Sequence, residues 1–323
     1  MANAVREAGA GWVARARERL RVDWTRLRRR GFWLDTIQAY IYLLPALVIL
    51  GTFVFYPFFR AFVISFYRWD FIGEKTFVGV KNYVKLFQDD LFWLSLWHTV
   101  YYVLGSVLPT MLLGLIIAVL LNQSIRFRSA YRTTFFLPYI TPTVAVAMVF
   151  LWIYDRDYGL LNYVLHHLFG VRLIDWLNTP QFAMPAVIIL SIWKYLGFNV
   201  VLFLAGLQNI DREYYEAAAV DGANAWHRFK YITLPLLSPT TFFVLVISIM
   251  GAFKVFDEIY VLWSGPSGGP LHSAMTIMIY FFNKAFGAYR MGLASAVANI
   301  LFMIIFVFTL IQMWLSRKWV FYQ

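Results

Sequence analysis

Cysteine is absent from the 323 residues, and charge is scarce, with Asp, Glu, Lys and Arg together at 14% against about a quarter in a soluble domain. The first absence excludes a disulfide framework and any thiolate-based metal or redox centre. The second stands beside 61% hydrophobic and 20% aromatic residues and a mean hydropathy of +0.64; together they exclude a water-soluble globular domain, a coiled coil, collagen and a disordered chain. No Gly-x-x-x-x-Gly-Lys-Ser/Thr phosphate loop occurs, so no ATP site is expected in this chain, and the Gly265–Pro270 run is followed by Leu271-His272. Ser/His/Asp, two-metal and His-Glu-x-x-His arrangements are missing too, which argues against an intramembrane enzyme. The His166-His167 pair has no acid–histidine spacing around it that would hold a metal.

What the sequence has in abundance is apolar length. A bilayer core about 30 Å thick needs roughly 20 apolar helical residues. Stretches free of Asp, Glu, Lys and Arg run over Thr36–Phe59, Leu91–Ile125, Thr133–Tyr154, Trp176–Ile210 with a lone Lys194 inside, Tyr231–Phe253, Ile259–Asn283 and Met291–Ser316. The Ile259–Asn283 stretch contains Gly265-Pro266-Ser267-Gly268-Gly269-Pro270, which cannot continue a helix and reads as a loop. Six spans remain, expected near 37–60, 93–122, 133–154, 184–208, 233–262 and 290–315, within a six-span membrane domain at 36–316. The predicted class is an all-α membrane protein with six transmembrane helices.

Charge fixes the expected orientation. Nine arginines (Arg6, Arg15, Arg17, Arg19, Arg21, Arg26, Arg28, Arg29 and Arg30) fill the tail at 1–35, which reads as a cytoplasmic anchor beside anionic lipid and not as a nucleic-acid site. An even number of spans puts the 317–323 tail, with Arg317 and Lys318, on the same side, and Arg126, Arg128 and Arg132 follow span two. The expected outer segments are balanced: Arg68, Lys75, Lys81 and Lys85 face Asp70, Glu74, Asp89 and Asp90, while Arg156 and Arg172 face Asp155, Asp157 and Asp175. The Asn122-Gln123-Ser124 sequon falls on the inner side and is discounted.

The inner loop at 208–231, between spans four and five, departs from that bias, since Asp211, Glu213, Glu216 and Asp221 outnumber Arg212, Arg228 and Lys230. Asp211 is a suitable N-cap, the Glu-Ala-Ala-Ala run favours helix, and Gly222 sits where a left-handed residue would close it. Asn224 then caps a second helix leading towards Pro235. Glu216-Ala217-Ala218, Gly222 four residues after the second Ala, and Ile232-Thr233-Leu234-Pro235 resemble the EAA signature of permease subunits of type I ABC importers. The likeness extends over most of the chain. Arg132 with Phe135-Phe136-Leu137-Pro138, Pro142, Trp152, Gly159-Leu160-Leu161-Asn162, Phe203-Leu204-Ala205-Gly206-Leu207-Gln208 and Gly268-Gly269-Pro270 are similar to the carbohydrate branch, the maltose and sn-glycerol-3-phosphate permease type. His98-Thr99 stands where that branch has Asn-Thr.

The resemblance implies that Glu216, Ala217, Ala218, Asp221, Gly222, Leu234 and Pro235 belong to a coupling element that docks on a cytoplasmic ATPase. It also implies two copies of that ATPase, a second, non-identical permease, an extracytoplasmic solute-binding protein, and a bacterial or archaeal cytoplasmic membrane with both termini inside. No cofactor is expected.

Polar residues inside spans are costly and mark function by default. Lys194 lies near the midplane of span four, with Phe198 and Asn199 one turn deeper. Asp257, Glu258 and Tyr260, at the outer end of span five, are expected to line the pathway, with Lys194 as a partner across it; a local pair of Lys254 with Asp257 or Glu258 is the competing reading. The maltose-type permease has neutral amides where this chain carries these acids, and there the matching stretch contributes to the sugar site. Asn299 in span six is a weaker pathway candidate, an interhelical hydrogen bond being its other reading. Most of the tryptophans are expected in an interfacial belt. A sugar is the expected substrate, with sn-glycerol 3-phosphate or another polyol as the alternative and an ion-driven secondary carrier as the more distant one.

Overall fold

In the computed structural model, residues 30–71, 73–123 and 126–321 are described. Arg6 to Arg29 of the basic tail, and Ser124 of the sequon, fall outside the described residues. The chain divides into two units, 1–60 and 61–323.

In the first unit, α1 (Arg30–Leu50) runs through a single π-type turn at Gly51–Phe55 into α2 (Tyr56–Ile64). The apolar part, Thr36–Ile64, is 29 residues long, more than the roughly 20 needed to cross a bilayer.

Beyond α2, the two-residue strands β1 (Tyr67–Arg68) and β2 (Thr76–Phe77) pair antiparallel, Tyr67 opposite Phe77. The short helix α3 (Lys81–Phe87) then leads into α4 (Asp90–Leu121). Asp89 caps α4, its carboxylate accepting from the Leu91 N–H at 3.0 Å. The same carboxylate accepts from Tyr280 Oη at 2.7 Å and Lys284 Nζ at 3.0 Å, which fastens the distant 277–287 segment to the start of α4.

Span three is not one helix. The expected span at 133–154 is divided between α5 (Arg128–Ile140) and α6 (Thr143–Ile153), which meet at 95°. The cause is local: Thr141 precedes Pro142, the pyrrolidine ring disfavours the helical region for the residue before it, and Thr141 is extended at φ −66°, ψ 135°. After α7 (Leu160–Phe169) comes α8 (Pro180–Gln208), an unbroken 29-residue helix that packs lengthwise on α4 to form the centre of the core.

Past α8 the chain forms α9 (Arg212–Val220) and α10 (Ala225–Arg228), then a π-type turn at Phe229–Thr233, α11 (Leu234–Leu236) and α12 (Ser238–Ala252). The Ala225–Leu236 stretch bends by 62° against Ser238–Ala252. Span five, expected to continue to 262, stops instead at Ala252; a turn at 253–256 separates it from α13 (Asp257–Leu262). The Gly-rich run that follows is loop, as expected, but α14 (Ile277–Phe282) after it is buried in the bundle, and the Ile277 N–H donates to Thr99 Oγ1 of α4 at 2.8 Å. The last helix, α15 (Met291–Trp319), takes in Arg317 and Lys318, which the sequence placed in a tail.

Among the described residues, four helices are long and apolar enough to cross a membrane, and counting each bent pair as one span gives six. Among the described residues the only strands are the two short ones. This is an all-α membrane protein.

Candidate functional site

The site is a cavity of about 240 Å³. Its walls come from α4, α5, α6, α8, α12 and the 254–258 segment. Helical spacing explains how α8 contributes: Ser191, Tyr195, Phe198 and Asn199 follow an i, i+4, i+7, i+8 pattern and share one face, with Lys194 at i+3 beside it. On α4 the hydroxyl residues Ser106 and Thr110 donate to the carbonyls one turn back, Tyr102 O and Ser106 O, both at 2.6 Å, so these side chains satisfy their own protons inside an apolar helix.

A buried charge pair closes one side of the cavity. Lys194 Nζ lies 3.8 Å from Glu258 Oε1, with both side chains 4% exposed. Glu258 Oε1 also accepts from Tyr195 Oη at 3.2 Å, and Lys194 Nζ touches Thr143 Oγ1 at the first residue beyond the break in span three. Isolated charges at this depth are costly, and pairing with further hydrogen bonds is what makes them tolerable. Three elements, α6, α8 and α13, are thereby tied at one point. The competing local pair does not form, since Lys254 lies in the 253–256 turn and makes no ion pair among the described residues.

The opposite chemistry lies a turn deeper. Tyr139 and Phe198 stack with ring centroids 4.5 Å apart at 17°. Asn199, 1% exposed, donates from Nδ2 to Tyr195 O at 3.1 Å, while its Oδ1 has no partner among the described residues. A buried acceptor without a donor is unusual in proteins, and this one belongs to the cavity wall.

Of the expected pathway residues, the structure brings together Phe198, Asn199, Asp257 and Glu258 on the wall, with Lys194 immediately behind Glu258. Tyr260 is not on the wall; it packs against the rings of Phe256 and Phe282. Asn299 is elsewhere, donating to Tyr83 Oη at 3.2 Å, so its interhelical reading holds. Tyr102, Tyr139, Thr143, Ser191 and Tyr195 were not singled out from the sequence, although Tyr102 and Ser191 share a 2.8 Å hydrogen bond across the wall. The sequence signal for Ser191 and Tyr195 is the face shared with Lys194, and for Tyr102 the four-residue spacing with Ser106 and Thr110; Tyr139 and Thr143, on α5 and α6, carry neither.

The second candidate element is the exposed helix α9. None of its residues is buried; Glu216 and Ala217 are exposed and Ala218 half-buried. Gly222 adopts φ +79°, a left-handed conformation that costs other residues about 1–2 kcal/mol. The helix end is closed by Asp221 N–H to Ala217 O at 3.1 Å and Ala223 N–H to Ala218 O at 2.9 Å. Asn224 caps α10 through Oδ1, accepting from the His227 N–H at 2.9 Å. Asp211 occupies the cap position of α9 without a side-chain bond. Tyr215 Oη and Thr233 Oγ1, 3.0 Å apart, tie α9 to the turn that enters span five. Leu234 and Pro235 are not part of this elbow; they lie on α11, just before the 62° bend.

Apolar spans around a polar internal cavity, with a short exposed helix and a glycine elbow between two of them, define a membrane transport subunit. The chain belongs to the family described as binding-protein-dependent transport system inner membrane component, which matches residues 110–320. It is 34% identical over 287 residues to the arabinooligosaccharides transport system permease protein AraP of Bacillus subtilis, covering 88% of this chain and 90% of that protein. To the trehalose/maltose transport system permease protein MalF of Thermococcus litoralis it is 37% identical over 280 residues, covering 86% and 93%. Among solved structures, a bacterial ABC transporter involved in the import of the acidic polysaccharide alginate matches with TM-score 0.78 at 26% identity, over 90% of this chain and 99% of that one. The same kind of transporter in complex with alginate pentasaccharide-bound periplasmic protein matches with TM-score 0.77. The chain is thus a multi-pass inner-membrane permease of the ABC importer type, a transport component and not an enzyme.

Proposed function

We propose that this permease carries a neutral saccharide, delivered by an extracytoplasmic solute-binding protein, through a pathway it forms with a second, non-identical permease subunit. Both termini lie in the cytoplasm, and two copies of an ATPase subunit dock on α9. Closure of the ATPase pair on ATP moves the Gly222 elbow, and the motion passes through the Tyr215–Thr233 contact into the bent span five, alternating the access of the cavity.

The observation that carries the substrate reading is the cavity wall. The unpartnered Asn199 Oδ1 is an acceptor suited to a sugar hydroxyl, the Tyr139–Phe198 stack offers an aromatic surface, and Ser191, Tyr102 and Tyr195 add hydroxyls. Lys194 is matched by Glu258, and Lys254 and Asp257 on the wall carry opposite charges, so the site holds no net positive charge to select a phosphate or a uronate. The relatives named for arabinooligosaccharides and for trehalose/maltose support the same class.

The test is ATP-dependent uptake into proteoliposomes holding the native complex and its own binding protein, with a panel of neutral di- and oligosaccharides, an oligouronate and sn-glycerol 3-phosphate. Uptake of a neutral saccharide alone is expected. Uptake restricted to sn-glycerol 3-phosphate or the oligouronate would overturn the reading.

A further inference from the structure

A second recess, also about 240 Å³, lies where α15 begins, against β1 and α3. Arg68, Lys85 and Arg290 contribute three cations and Asp70 one acid, with Trp69 and Asn82 completing the wall. Asp70 leaves much of the positive charge unspent: it approaches Arg68 Nε only to 4.0 Å, and both side chains are largely solvated, at 72% and 56% exposure, where such contacts contribute little. Lys85 is exposed and in no ion pair among the described residues. Asn82 is spent on structure, its Nδ2 donating to Ser65 O at 2.7 Å and Tyr67 O at 3.0 Å. Gly292 lets α15 approach the strand closely enough to form the recess, since a Cβ there would stand 1.9 Å from Tyr67 O.

The level of this recess decides what fits it. Arg68 comes four residues after the end of the apolar α2 at Ile64, and Arg290 immediately precedes α15. Cations and a tryptophan at the ends of apolar spans lie at the lipid headgroups. Trp69 has an interfacial character of its own, stacked on Phe71 with Lys75 4.2 Å above its ring. Guanidinium groups match a phosphate bidentately. We infer that this recess binds the phosphate of an anionic phospholipid, anchoring the beginning of the last span to the α2–α3 connection. The inference rests on the spans alone and is independent of the transported solute.

The test uses the native complex, exchanged into vesicles of equal phosphatidylglycerol and phosphatidylethanolamine and repurified in mild detergent, with the retained lipids quantified by mass spectrometry. Each of Lys85→Gln and Arg290→Gln should lower the retained phosphatidylglycerol relative to phosphatidylethanolamine by about fivefold, the usual effect of one basic residue at an anionic surface. Arg290→Lys should retain most of it, and Lys230→Gln, on the turn before α11, should change nothing. Thermal unfolding of each variant accompanies the lipid analysis, and Arg290→Lys preserves the test should Arg290→Gln fold poorly. Unchanged retention in the Lys85→Gln/Arg290→Gln double variant would overturn the inference. So would unchanged retention joined to weakened affinity for the binding protein, which would assign the recess to an acidic protein surface.

Discussion

Lys194 and Glu258 are the two buried charges on which the cavity wall depends, and each is tolerable only because of the other. Removing one partner of such a pair leaves the second uncompensated, at about 3–5 kcal/mol, whereas removing both is far milder. Lys194→Met and Glu258→Gln should each lower the thermal unfolding temperature of the purified complex, and the double variant should lie above both. A double variant whose loss equals the sum of the singles would mean that the two side chains do not interact. Asn199→Leu should reduce saccharide transport by about fivefold, the value of one hydrogen bond near 1 kcal/mol, and leave the unfolding temperature close to wild type. At the clasp between α4 and the 277–287 segment, burial of Asp89 acts to raise its pKa, but the hydrogen bonds from Tyr280 and Lys284 and the Lys284 charge outweigh it and hold the carboxyl below its ordinary value. A carboxylate depressed in the folded state adds stability above its unfolded pKa and loses it as pH falls through the folded one. Wild type and Asp89→Asn should therefore differ most near neutrality and converge below about pH 4, as read by unfolding temperature against pH.

Among the elements, α9 and its elbow carry the coupling argument. Proline is fixed near φ −65° and cannot adopt the +79° of Gly222. Gly222→Pro should reduce binding-protein-stimulated ATP hydrolysis to the basal rate while the protein still inserts and unfolds at close to the wild-type temperature; Glu216→Lys should do the same by reversing charge on the exposed face. This helix was legible in the sequence because caps and glycines act locally: Asn224 and Gly222 do what their residue types suggest. The long spans were legible for a related reason, since length without charge is a bilayer requirement. The breaks were not. Pro45, Pro109, Pro138 and Pro185 all lie inside helices, whereas the chain turns by 95° beside Pro142. Which proline breaks a helix depends on whether neighbouring helices satisfy the freed backbone groups, and that is not written in the segment itself. The cavity followed the same division. A lysine in an apolar span announces itself, and so did Asp257 and Glu258, but Tyr102, Thr143, Ser191 and Tyr195 are ordinary residues of apolar helices until α4, α6 and α8 are packed together. Tyr260 and Asn299 lie off this wall, since proximity along the chain, or polarity in a span, does not say which face meets the cavity.

At the scale of the whole molecule, the absence of cysteine makes the orientation in the membrane directly measurable. Tyr158, between α6 and α7, and Val220, at the end of α9, are 84% and 89% exposed. With cysteine placed singly at these positions in intact cells, an impermeant maleimide should label position 158 and leave position 220 unlabelled until the membrane is permeabilised. A chain that works as one permease of an ATP-driven assembly should be recovered together with the rest of it. The most direct test is to extract the tagged chain from native membranes in mild detergent, identify by mass what accompanies it, and measure ATP hydrolysis with and without the loaded binding protein. A second multi-span permease, an ATPase, and hydrolysis that rises with the loaded binding protein are expected. Recovery of this chain alone from several detergents, with solute transport intact and no ATP dependence, would contradict that expectation.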